Sequence, residues 1–96
     1  GETALIHSAA GGVGLAAIRL AQRTGARVIA TAGTREKREY LKKLGIEHVF
    51  DSRSLDFAND VLAATDGRGV DIVLNSLTGR FIAQSMKCLV PFGRFV

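Results

Sequence analysis

The sequence of 96 residues contains one cysteine, one proline, one tyrosine and no tryptophan. A single thiol, Cys88, can form no internal disulfide, which fits a reducing compartment, and the protein is expected to be cytoplasmic. Aromatics are few at 6%, and the basic residues are scattered rather than gathered into a tract, so the net charge of +4 is not read as a nucleic-acid surface. No apolar run approaches the roughly 18–20 residues that span a bilayer, and no membrane partner is expected. No basic stretch followed by an apolar core and a cleavage site marks a signal peptide. Without a second cysteine or clustered histidines there is no metal-ligand spacing, and no zinc site is expected.

What is present is an ordinary globular composition, 47% hydrophobic and 23% charged, in a length that suits one small domain. The chain is inside an apparent strand by Thr3 and closes at Val96 partway along another. Natural domain ends usually lie in exposed linkers, so residues 1–96 are expected to be a truncated part of a larger protein.

Patterning divides the chain into alternating strands and helices. Thr3 to Ser8 is a short apolar run that stops at a glycine cluster, as a buried parallel strand would. From Gly12 to Thr24, residues Val13, Ala17, Leu20, Ala21 and Thr24 recur at helical spacing, and Gly25 follows as a cap. Arg27 to Ala32 is the second strand. Thr34 caps a second helix whose Tyr40, Leu41 and Leu44 are expected to form its buried face, and Gly45 ends it. His48 to Asp51 is a third strand. A third helix is marked by Phe57, Val61 and Leu62, with Leu55 as a further candidate, and stopped by Gly67 and Gly69. Val70 to Asn75 is a fourth strand, a fourth helix runs from about Arg80 to Leu89, and Arg94 to Val96 begins a fifth strand. The resulting βαβαβαβαβ order implies right-handed crossovers and a Rossmann-type, doubly wound α/β fold: a parallel sheet of about five strands in the order 3-2-1-4-5.

The turn after the first strand carries the most specific signal. Ala9, Gly11 and Gly14 fall on the spacing G/A-x-G-x-x-G within Ser8-Ala9-Ala10-Gly11-Gly12-Val13-Gly14. Ala9 keeps the turn tight, Gly11 lets backbone amides approach a pyrophosphate, and Gly14 lets the helix lie close to the sheet. The free N–H groups and dipole of the helix start then favour the diphosphate. No Lys-Ser or Lys-Thr follows the glycines, so the turn is not a Walker motif.

The end of the second strand indicates which dinucleotide. NAD-selective units place Asp or Glu there to bind the ribose hydroxyls. Here the strand ends Thr31-Ala32-Gly33-Thr34, followed by Arg35, Lys37 and Arg38. Cations at a helix N-terminus oppose the dipole at a cost of a few tenths of a kcal/mol each. Their placement makes sense if an anion sits among them, and the 2′-phosphate of NADPH is that anion. Lys37 and Arg35 are the first candidates, Thr34 adds a hydroxyl donor, Arg53 is a secondary candidate, and Arg38 is set aside as facing away. The bland alternative is a solvated surface in which Glu36 and Glu39 pair with these cations.

The remaining polar residues read as structural. His7, ending the first strand, is expected to be a hydrogen-bonded strand-end group rather than an acid–base catalyst. His48 is structural or exposed, and Asp71 is a capping or surface group. Cys88 is expected in the fourth helix as a small buried hydrophobe.

The stretches HSAAGGVGLAAIRLAQ, TAGTREKREYL, DSRSLDFANDVL, GRGVDIVLNSL and PFGRFV together resemble the enoyl reductase domain of type I polyketide synthases and animal-type fatty acid synthases. These domains form part of the zinc-free branch of the medium-chain dehydrogenase/reductases. The resemblance covers the whole chain, and VDIVLNSL and DSRS are its most specific pieces. It implies hydride transfer from NADPH to C3 of an α,β-unsaturated thioester on an acyl carrier protein, then protonation at C2. It also implies that Gly11 through Gly14 hold the diphosphate, that Lys37 and its neighbours hold the 2′-phosphate, and that Asn75, Ser76 and Leu77 line the nicotinamide ribose side. On residue chemistry alone, Asn75 and Ser76 read equally well as a polar strand terminus. The family's proton donors, a lysine shortly after the fifth strand and an aspartate further on, fall past Val96. No catalytic residue is therefore expected in this chain, and the parent is expected to be a homodimer.

Three other readings stand beside this one. The first is the cofactor domain of a stand-alone NADPH:quinone oxidoreductase. The second is a non-catalytic nucleotide-sensing module, which should be complete in itself. The third is a methyltransferase-like unit, which would want an acidic residue where Gly33 stands.

Overall fold

The computed structural model describes residues 2–7, 12–54, 56–74 and 88–95. In chain order they form β1 (Thr3–Ile6), α1 (Gly12–Arg23), β2 (Arg27–Ala32), α2 (Arg35–Lys43), β3 (His48–Asp51), α3 (Phe57–Ala64), β4 (Val70–Leu74) and β5 (Leu89–Phe95). The five strands make one sheet in the order β3-β2-β1-β4-β5, and every pairing is parallel. This is the doubly wound α/β arrangement expected from the alternation of elements.

Strand periodicity divides the core into two. On one face Ile6, Val28, Ala30, Ala32 and Val49 pack with Ile18 of α1 and Leu41 of α2. On the other, Leu5, Ile29 and Val73 pack with Phe57, Ala58 and Val61 of α3. Successive residues of β1 and β2 thus serve opposite faces, which is why both strands are buried at every position but Arg27. No helix among the described residues is long and apolar enough to cross a membrane.

The first two helices end by the same device. Gly25 (φ 78°) and Gly45 (φ 93°) adopt the left-handed conformation that glycine takes without steric cost. The following amides reach back five residues, Ala26 N–H to the Ala21 carbonyl at 3.0 Å and Ile46 N–H to the Leu41 carbonyl at 3.3 Å. These bonds occupy carbonyls that the helix end leaves open, and each brings the next strand back under its helix.

Four expectations are corrected. The apolar stripe of α1 is centred on Ile18, with Ala17, Ala21 and Leu15 beside it, whereas Leu20 is 63% exposed. At 100° per residue Leu20 lies about 200° from Ile18, on the far side of the helix. On α2 only Leu41 is buried; Tyr40 and Leu44 face solvent because a nine-residue helix over a sheet edge presents a narrow stripe. The fifth strand begins at Leu89 rather than Arg94. Val70 pairs with Leu89 and Ile72 with Arg94, so β4 advances two residues while β5 advances five. Pro91, which has no N–H to give a ladder and reads in sequence as a break before the strand, lies inside that irregularity. Finally, Cys88 stands in the turn before β5, buried on the α3 face, and is not helical. The rest of the expected fourth helix, 80–87, lies outside the described residues.

Candidate functional site

In a sheet whose strands all run one way, the carboxyl ends lie along one edge. The chain leaves β1 in one direction to build β2 and β3, then crosses to the other side of β1 to build β4 and β5. The ends of β1 and β4 therefore flank a topological switch point, where such sheets open a crevice for ligands. The glycine-rich segment follows β1 at this point, and Asn75-Ser76-Leu77 follow β4.

Ala9, Ala10, Gly11, Asn75, Ser76 and Leu77 lie outside the described residues, as does the side chain of Val13. Gly12 opens α1 with no atom within 4 Å of an added Cβ, so packing does not demand glycine there. Gly14, in the first turn of the helix, is buried. That turn carries no acidic residue to oppose an anion.

The end of β2 is better defined. Thr34 takes an extended conformation (φ −127°, ψ 154°), and its Oγ1 accepts the Lys37 N–H at 3.3 Å, capping α2. Across from it, Asp51 Oδ1 accepts the Arg53 N–H at 2.9 Å, an Asx-type turn at the end of β3. The Ser52 N–H donates to the Ala32 carbonyl at 3.1 Å and carries the β2–β3 pairing one step further. Together these bonds lay the Arg53 side chain against Gly33: a Cβ on Gly33 would stand 2.9 Å from Arg53 Nε and 3.5 Å from Ser52 Oγ. The Arg53 side chain, exposed and flexible, thus lies in the space that a Cβ at position 33 would take, and would have to swing aside for any larger residue.

The cations of α2 divide by role. Arg38 bonds the Ala32 carbonyl at 3.1 Å and pairs with Asp51 at 3.4 Å, so its charge serves the strand ends. Arg35 is 86% exposed and pairs with Glu39 one turn along, at 3.3 Å. Lys37 is exposed, and among the described residues it enters no ion pair. Gly33, Thr34 and Arg53 thus meet at the end of β2, Lys37 joins them through its backbone N–H, and Arg35 pairs along its own helix.

His7 lies directly before the glycine-rich segment. It is 2% exposed, its Nδ1 is 2.9 Å from Thr31 Oγ1, and its ring meets Phe57 edge-on at 5.0 Å. Burial lowers its pKa to about 4, so the imidazole is neutral at physiological pH. Cys88 is raised to about 11 by burial and is no ready nucleophile. Asp71 accepts the Thr3 N–H at 2.8 Å and both guanidinium arms of Arg68 at 3.0 and 3.1 Å, which makes it a structural clasp between β4 and β1.

Sequence reasoning misses the roles of Asp51 and Ser52 and the partner of His7, whose strand-end hydrogen bond it does expect. Asp51 and Ser52 pass as plain strand-end residues, although a D-S-R triplet after a strand is a usable Asx-turn signal. The His7–Thr31 pair follows from register, since Leu5 lies opposite Ile29 and two further steps bring His7 opposite Thr31.

Comparisons with known proteins agree with this geometry. A family model described as zinc-binding dehydrogenase matches residues 12–96. The chain is 56% identical over 96 residues to a phenolphthiocerol/phthiocerol polyketide synthase of Mycobacterium tuberculosis. It is 54% identical over 99 aligned residues to the highly reducing polyketide synthase virA of Hypocrea virens. All of the chain is matched in both cases, yet it spans only 4% of either relative's length. Among solved structures, the nucleotide-binding subdomain of the enoylreductase domain of PpsC from Mycobacterium tuberculosis superposes with a TM-score of 0.95 at 57% identity, covering 99% of this chain and 53% of that one. The CurK enoyl reductase also gives a TM-score of 0.95, at 55% identity, covering 99% of this chain and 28% of that one.

Proposed function

The chain belongs to the zinc-binding dehydrogenase family and matches the nucleotide-binding subdomain of polyketide synthase enoyl reductases, and on that footing we propose that it holds NADPH for the reduction of an enoyl thioester. The observation that carries the choice of nucleotide is the contact between Gly33 and Arg53. The place where an NAD-selective unit carries a carboxylate is a glycine with the Arg53 guanidinium against it, followed by Thr34, whose hydroxyl accepts the backbone N–H of Lys37. These groups suit a phosphate monoester on the adenosine ribose. Lys37, Arg53 and Thr34 would hold that phosphate. The segment from Ala9 through Gly14 would hold the diphosphate, and Asn75, Ser76 and Leu77 the nicotinamide side. Arg35 contributes long-range charge rather than contact.

When bound, NADPH supplies a hydride. The described residues bind and orient it, and none of them is assigned a proton-transfer role. His7 is packed between Thr31 and Phe57, and Asp71 is held by Thr3 and Arg68. The family description implies zinc, yet no three His, Cys, Asp or Glu side chains come together among the described residues. They do not fit a zinc site. The substrate in this reading is an α,β-unsaturated acyl group on an acyl carrier protein, and the parent enzyme is a homodimer.

Titration of the protein with NADPH and with NADH tests the central claim. Charge-assisted bonds to the 2′-phosphate should favour NADPH by roughly tenfold to a hundredfold. Equal affinities would leave the basic cluster as surface charge and defeat the NADPH assignment.

A further inference from the structure

Where the β1–β2 ladder stops, one side chain continues it. The last β1–β2 pair is Ile6 with Ala30, and the last β1–β4 pair is Ile6 with Leu74. The next residue, His7, binds in both directions. Its N–H donates to the Leu74 carbonyl at 3.1 Å, and its Nδ1 lies 2.9 Å from Thr31 Oγ1 on β2. Phe57 of α3 meets the ring edge-on at 5.0 Å and an interplanar angle of 76°, fixing its plane. This pair lies on the face that is otherwise made of Leu5, Ile29, Val61 and Val73. Two paired polar groups in an apolar layer cost desolvation that an aliphatic pair would not, and what they add is a defined geometry.

That geometry falls at the ligand edge. Thr31 is two residues before Gly33, His7 directly precedes the glycine-rich segment, and Leu74 directly precedes Asn75. We propose that His7 is a positioning residue for the cofactor: its side chain, through Thr31, holds the carboxyl end of β2 against that of β1, whose backbone N–H at residue 7 is bonded to Leu74 of β4, at the spacing that a dinucleotide lying across these strand ends requires. The inference rests on the NADPH reading above and adds a residue that touches no part of the nucleotide.

The test is a double-mutant cycle on NADPH affinity, with His7→Phe, Thr31→Val and the pair combined, each measured at a temperature where the variant is fully folded. Each single change should weaken binding about three- to tenfold, the worth of one hydrogen bond. The double variant should be no weaker than the poorer single one. His7→Asn, which keeps a polar atom at the Nδ1 position, should restore most of the affinity. In the unaltered protein the imidazole ¹⁵N shifts of His7 should move on addition of NADPH, and this readout stands if His7→Phe fails to fold. Lowered melting temperatures with unchanged NADPH affinity and unmoved shifts would reduce His7 to a packing residue and overturn the inference. An unaltered protein that binds no NADPH would overturn the cofactor reading and this inference with it, whereas normal binding with insensitive variants would overturn this inference alone.

Discussion

Arg53 Nε lies 2.9 Å from the point where a Cβ on Gly33 would stand, so the two residues share one space at the end of β2. The glycine makes room, and the Asx turn from Asp51 aims the arginine into it. Changing Arg53 to alanine should weaken NADPH by roughly tenfold to a hundredfold and leave NADH unaffected. Gly33→Asp should go further. The new carboxylate would pair with Arg53, repel the 2′-phosphate and turn the preference toward NADH. The ratio of the two dissociation constants is the quantity to measure, and a ratio unchanged in both variants would remove Arg53 from the site.

Lys37 and Arg35 look equivalent in the sequence and are not equivalent in the fold. Lys37→Ala should cost NADPH affinity about tenfold, the lower range for a charged hydrogen bond. Arg35→Ala should leave affinity within about twofold, because its guanidinium is spent on Glu39 in solvent, where such a pair contributes under about 1 kcal/mol. Calorimetric titration of the two variants side by side would reverse the assignment if Arg35 proved the more costly loss.

The buried imidazole of His7 should make stability depend on pH. Its pKa is about 4 in the folded protein and 6.5 in a solvated chain, so the unfolded state binds more protons between those values. Its contribution is therefore complete above pH 6.5 and declines as pH falls toward 4, with a slope approaching about 1.4 kcal/mol per pH unit, then levels off. Carboxylates add their own loss at the lower end, so the comparison is with His7→Asn. Denaturant midpoints of the two proteins should converge on acidification, and parallel curves would contradict the assignment.

Asp71 clasps the start of β1 to β4, with its carboxylate shared between the Thr3 N–H and Arg68. Asp71→Ala strands a partly buried amide and should destabilise the protein by about 1–3 kcal/mol. Asp71→Asn keeps an acceptor and should cost less. Urea midpoints would show the order, and a neutral Asp71→Ala would mean that water replaces the clasp.

The parts of the fold that can be read from sequence are those where local and long-range demands coincide. Arg27 to Ala32, in the interior of the sheet, and His48 to Asp51, at its edge, match the observed strands to the residue, because each is a short run bounded by a glycine-containing turn. The errors come where tertiary context decides. Whether Ile18 or Leu20 faces the sheet depends on how α1 is rotated over β1 and β2, and both are good helix-face residues in isolation. Pro91 reads as a breaker unless a register irregularity is there to take it. At the site, Gly33 is legible as a missing carboxylate, whereas the division of labour among Arg35, Lys37, Arg38 and Arg53 is not. That depends on which acid each cation reaches.

The sheet's two cores also differ in how much chain they enclose. The cluster on the α1 and α2 face draws on residues 6 to 49, in sequence-adjacent β–α–β steps, whereas the opposite cluster joins residues as far apart as Leu5 and Cys88. Closing the longer span costs more chain entropy before any contact rewards it. Folding should then proceed from one side: the half-sheet bearing Gly33 and Thr34 acquires amide protection first, and the β1–β4 seam forms last. Pulsed hydrogen exchange during refolding would resolve that order, and simultaneous protection of Leu5 and Val73 with Val28 would exclude it. An unfinished chain would carry the turn of Gly33 and Thr34 before the crevice between β1 and β4 exists.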